Sequence, residues 1–168
     1  MSNQLTKPNK STGESGYYKH IIDTALYKNT ELCEFLCGDD FKKLSTKEKR
    51  KAFKSHVQSH LFIEEVVKDA DLFIYYDVFF PTLRPQTKKC KIVLQLMAHR
   101  EIIDTKVKEG YYGNASDILA QMVENTLLND YDISNAFGIG ELNLDSNIIY
   151  NATRFYGRVL TFEVSNFR

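Results

Sequence analysis

Two cysteines and two histidines carry the sharpest chemical signal in this sequence. Cys33 and Cys37 stand one helical turn apart, and so do His56 and His60. Two thiolates and two imidazoles, each pair along one helix face, are the donors of a tetrahedral Cys2His2 zinc site. Two features weigh against that site. The 18 residues between Cys37 and His56 are more than zinc-finger patterns use. Cys33 and Cys37 also lie in and beside the apolar run 32–36, where free cysteine behaves as a small buried hydrophobe. Core cysteines with surface histidines are the preferred reading, and no metal or cofactor is expected.

Other chemistry is harder to place. A His-Glu-x-x-His metallohydrolase needs its glutamate inside the histidine pair, whereas Val57, Gln58 and Ser59 fill that interval and Glu64 lies outside it. Gly138-Ile139-Gly140 lacks the third glycine of a phosphate loop and leads into an expected strand, where a helix N-terminus would be required. Asp69, Asp71 and Asp77 spread over a turn and a strand without a paired-carboxylate spacing. With no activated nucleophile and no acid/base pair in view, no enzyme is expected. Lys42, Lys43, Lys47, Lys49, Arg50, Lys51 and Lys54 form a basic cluster. Lys47, Lys49, Arg50, Lys51 and Lys54 would supply non-specific contact with a nucleic-acid backbone; a solvated helix face is the plainer account.

Composition bounds the remaining classes. Lys plus Arg equals Asp plus Glu at 22 each, so the whole chain has no electrostatic footprint for nucleic acid. No apolar run approaches the roughly 20 residues of a membrane span, and the polar first 16 residues lack a secretory h-region. Three cysteines make an odd count with no disulfide framework, which fits a reducing compartment. Synthesis in the cytoplasm and no membrane partner are expected.

The elements that must position these residues follow from periodicity. Residues 1–16 are too polar to offset their ordering entropy and read as a mobile arm; residues 17–168 read as one domain. Tyr18, Ile21, Ile22, Ala25 and Leu26 give a helical stripe, and Thr30 caps a second helix that Gly38 ends. Ser45-Thr46-Lys47-Glu48 is a capping box opening a third helix, whose end falls between His60 and Val67. Strands are expected over 72–80 and 90–98, joined by about nine residues. A loop over 105–113 follows, then a helix with Asn114 or Ser116 as cap and a stripe of Ile118, Leu119, Met122, Val123 and Leu127. Two closing strands are expected over 138–144 and 156–164. Helices, hairpin, helix and hairpin make an α+β fold: an antiparallel sheet with helices packed on one face.

The hairpin holds a further clue. Leu72, Ile74, Tyr76, Val78 and Phe80 point one way; Phe73, Tyr75, Asp77 and Phe79 point the other. A sheet with one wet face alternates apolar with polar, yet here both faces are largely apolar. The second face needs a cover, and a neighbouring subunit is favoured over the chain's own N-terminal helices. Phe73, Tyr75, Phe79, Tyr156 and Arg158 are the expected interface residues.

The order of elements, with Phe137-Gly138-Ile139-Gly140-Glu141-Leu142-Asn143-Leu144 and Tyr156-Gly157-Arg158-Val159-Leu160-Thr161-Phe162-Glu163-Val164, resembles the neck and tail-completion proteins of tailed bacteriophages, in particular the tail terminators. The likeness covers 17–168 and is one of topology and strand character. It implies a structural virion protein of the head-to-tail connection, a homo-oligomeric ring (commonly a hexamer) that contacts neighbouring neck and tail-tube proteins and lets DNA pass. The connections 81–89 and 105–113 would then meet the next ring. The segment 37–67 is longer than such proteins usually carry, which leaves terminator and head-side adaptor both open. A small DNA-binding module and a zinc-stabilised regulatory domain are the rival readings.

Overall fold

The computed structural model describes residues 11–83, 87–137 and 141–167. Three helices come first: α1 (Ser11–Lys28), α2 (Thr30–Cys37) and α3 (Thr46–His56). α1 starts seven residues before the first residue of its stripe, inside the stretch read as an arm. Glu14 favours the positive end of the helix and pairs with Lys88, while Ser15 Oγ donates to the Val78 carbonyl at 2.7 Å. The sheet, as much as the helix's own sequence, orders this turn. Residues 1–10 lie outside the described residues. Asn29, rather than Thr30, caps α2: its side chain accepts from Leu32 N at 3.0 Å, and Gly38 ends the helix at φ 97°. The capping box of Ser45 and Glu48 opens α3, and the hydroxyl's bond holds the Glu48 carboxyl below its ordinary range.

α3 stops at His56, before the expected limit. Val57–Gln58 then form β1, a two-residue strand parallel to β2 (Leu72–Leu83). β2 pairs antiparallel with β3 (Thr87–His99), and pairing continues beyond a bulge at 79–82 to Leu83 and Lys88. The connection is therefore shorter than nine residues. Pro81 has no N–H for the ladder, and the bulge absorbs it. Residues 84–86, Pro85 among them, lie outside the described residues. Asn114 wins over Ser116 as cap of α4 (Ala115–Leu128), accepting from Ser116 N and Asp117 N. α5 (Tyr131–Ser134) is a single turn.

Of the two closing strands, the first is displaced and the second covers its expected range and extends past it. β4 spans Asn143–Asn151, the stretch read as a polar connection, and β5 spans Phe155–Phe167. The pairing of β4 with β5, not any alternation of its own, makes β4 a strand. Gly138-Ile139-Gly140 lies outside the described residues.

Strand order is β1-β2-β3-β5-β4, and the helices pack on one face, as the α+β reading requires. Ile74, Tyr76 and Val78 of β2, Ile92, Leu94 and Leu96 of β3, and Leu160, Phe162 and Val164 of β5 lie in one core with α1, α2 and α4. Each such side chain, fully buried, contributes about 1.5–3 kcal/mol of transfer free energy. Gly157 sits opposite Met97 where a Cβ would lie 2.1 Å from the Leu96 carbonyl oxygen, so only glycine lets β5 close on β3 there.

Candidate functional site: the open face of the sheet

The other face is covered over only part of its length. Phe73 and Tyr75 of β2, Met97 of β3 and Phe155 of β5 form a second, smaller cluster with Phe62 and Val67. The last two come from the irregular segment 59–71 between β1 and β2. Phe62 meets Tyr75 and Phe155 edge-on, each with centroids 5.1 Å apart, and its N–H donates to Gln95 Oε1 at 2.7 Å. Further on, Arg154 N–H donates to Glu64 Oε1 (2.6 Å) and Arg154 Nη2 to the Glu64 carbonyl (2.5 Å). Segment 59–71 is thus tied to β3 and to the β4–β5 turn.

This corrects the interface expectation for two residues. Phe73 and Tyr75 are each only 5% exposed, covered by their own chain, and burial raises the Tyr75 hydroxyl pKa. Neither is available to a neighbour. Phe79 is, at 44% exposure. Val93, Val159 and Ile148 share its face; Val159 lies directly opposite Ile148, while Phe79 faces Lys91 and Val93 stands between Asp77 and Thr161. Val93 and Val159 are half-buried, and Ile148 is exposed. Leu61, Ile63 and Val66 of the covering segment are exposed as well. Tyr156 and Arg158 lie on the helix face instead: Tyr156 pairs across to Ala98, and Arg158 Nε donates to Asp117 Oδ1 of α4 at 2.6 Å.

The zinc donors do not converge. Cys33 lies in the main core, its thiol donating to the Tyr27 carbonyl at 3.4 Å, and burial pushes it up to about 12. Burial likewise pushes Cys37 to about 11 and Cys90 to about 12. A metal would need their thiolates. The histidines serve the other face: His56 stacks on Phe73 (5.7 Å) with Nδ1 2.8 Å from the Leu72 carbonyl, and His60 meets Tyr75 (5.4 Å). Among the described residues no group of three or more His, Cys, Asp or Glu is arranged to hold a metal ion.

The basic helix is largely engaged with its own chain. Arg50 and Lys54, one turn apart, both pair with Asp23 of α1, Arg50 at 2.9 Å. The Arg50 guanidinium also lies 4.5 Å over the Tyr27 ring, and Lys49 lies 5.9 Å over Phe41. Lys42 pairs with Glu34 and Lys43 with Asp40. Lys47 and Lys51 remain exposed on the surface. Asp23, nearly buried beside Ile22, was the unread partner; it flanks the apolar stripe of α1 and its role depends on α3 packed beside it. A cleft of about 650 Å3 beside α5 is lined by polar side chains that bond one another, as Asn29 does with Thr126 (2.7 Å) and Asn129 with Asn125 (3.2 Å). Among the described residues, no helix is long and apolar enough to cross a membrane.

A mostly antiparallel sheet roofed by helices on one face and only partly covered on the other places the molecule among α+β domains. Residues 29–164, from the cap of α2 to Val164 of β5, match the YomW family, and the chain belongs to it. The family is named after a gene of the Bacillus phage SPbeta region, which points to a phage-related origin. No curated protein matches the sequence.

Proposed function

We propose that this chain is a structural subunit of the phage head-to-tail connection, tail-terminator-like, that works as a homo-oligomeric ring in the virion. The observation that carries the reading is the open half of the second sheet face. Phe79, Val93, Val159 and Ile148 share that face, and Leu61, Ile63 and Val66 expose apolar surface on the segment beside it. Apolar side chains exposed on one sheet face, here interspersed with Asp77, Lys91, Thr161 and Glu163, are the kind of surface that association uses. The phage-related family supplies the setting, and the mechanism is geometric: copies pack through the open face and leave the loops to neighbouring rings. Lys47 and Lys51 are the basic residues of α3 left for DNA in a channel.

Native mass of the purified protein tests the reading, with a discrete ring expected. Phe79→Asp puts a charge on an exposed position of the open face, so the monomer keeps its circular dichroism and melting temperature while the ring is lost. Rings that survive Phe79→Asp, or a wild-type protein that forms none, refute the reading. Tyr75→Asp is no substitute, because it places the charge in the chain's own second cluster.

A further inference from the structure

The two borders of the sheet are treated differently by the sequence. Along β2, β1 pairs with Ile74 and Tyr75, Ser15 occupies the Val78 carbonyl, and Pro81 withholds an N–H. These are the usual means by which an edge is closed to further strands. β4 has a register shift at 144–146, but among the described residues no strand, side-chain contact to a strand carbonyl or proline closes its outer border beyond that point. It ends the strand order, and its nine residues, Asn143–Asn151, include no Lys, Arg or Pro. Ile148 and Ile149 are 57% and 58% exposed and project from opposite faces of the strand, with Tyr150 beside them. An edge so built is a template for another strand, and the strand that pairs with it must cover apolar groups on both faces.

Charge selects the occupant. Glu141 and Asp145 lie at the start of β4, and Asp145 is paired only loosely with Lys91 at 3.4 Å. At its end Arg100 donates to the carbonyls of Ala152 (3.1 Å) and Thr153 (3.0 Å), which fixes a cation there without a carboxylate partner among the described residues. The border therefore runs from acidic to basic. An antiparallel copy of the same border sets acid against base at both ends, whereas a parallel copy sets like against like. We infer that β4 pairs antiparallel with β4 of a second copy about a two-fold axis at Ile149. A two-fold axis normal to the sheet keeps each face on its own side. Ile149 then meets Ile149 of the second copy, and Ile148 meets Tyr150 of the second copy, the β-branched and aromatic pairing that stabilises ladders. Such a contact is self-closing and does not rest on the ring reading.

Ile149→Lys supplies the edge lysine that β4 lacks at a site exposed enough to leave the fold intact. Wild-type protein should contain an even number of subunits in native mass spectrometry, and Ile149→Lys should halve the mass at an unchanged melting temperature. Ile149→Cys should form a covalent dimer on mild oxidation many times faster than Tyr131→Cys, a control on α5 that is more exposed still. A monomeric wild type, an unchanged mass for Ile149→Lys, or equal cross-linking of the two cysteine variants overturns the pairing. If Ile149→Lys halves the mass and Phe79→Asp leaves it unchanged, the pair stands and the ring reading falls. Where Phe79→Asp alone lowers the mass, the ring reading stands and the pair falls.

Discussion

On the helix face, side chains from β2, β3 and β5 lie beneath α1 and α4, and most have no solvent exposure at all. On the opposite face the same three strands supply Phe73, Tyr75, Met97 and Phe155, and the cover is an irregular segment with a single 3-10 turn at Glu64–Val66. The first cover is held by its own helical hydrogen bonds as well as by packing. The second has little regular backbone bonding and depends on Phe62, Val67 and the Glu64–Arg154 contacts. An apolar sheet face can thus be closed by a helix layer or by a few anchors, and the anchored half stops where its anchors stop. Beyond them lies the open surface with Phe79, Val93, Val159 and Ile148.

That comparison can be broken by removing one large side chain from each face. Phe162→Ala, in the main core, should cost about 4 kcal/mol and lower the melting temperature of the whole domain in calorimetry. Phe62→Ala removes the chief anchor of the second face and should cost less, about 2–3 kcal/mol, because the site borders solvent. Its signature is local: limited proteolysis should cut within 59–71 while the β2–β3 ladder keeps its hydrogen-exchange protection. Equal global loss from both variants would mean that the two faces are one cooperative unit. Glu64→Ala, the smallest change, removes the acceptor for Arg154 N–H and should cost about 1 kcal/mol, with the same proteolytic pattern in weaker form.

The difference between the faces also explains what the sequence let one read. Strict alternation assigned Leu72, Ile74, Tyr76 and Val78 to one side of β2 and Phe73 and Tyr75 to the other, and the structure agrees. Ser45, Glu48 and Gly38 marked helix limits through local hydrogen bonding. The cover of the second face was not legible, because Phe62 acquires its meaning from Tyr75, Gln95 and Phe155, all distant in sequence. β4 escaped for a related reason: a border strand supported by one neighbour needs no alternation of its own. The basic helix misled because Asp23, which takes up Arg50 and Lys54, lies in a different helix.

The pairing of β3 with β5 has a consequence for how the domain forms. β2–β3 and β4–β5 are hairpins whose strands meet across short connections, so each can close quickly on its own. The two hairpins join along thirteen paired positions, Thr87↔Phe167 to His99↔Phe155, with α4 and its loops between them. Loop closure on that scale is slow compared with hairpin formation. Until the join is made, β3 presents a long unpaired border beside the apolar side chains of Ile92, Leu94 and Leu96, a stretch open to aggregation. Folding yield should therefore respond to protein concentration more than to the stability finally reached.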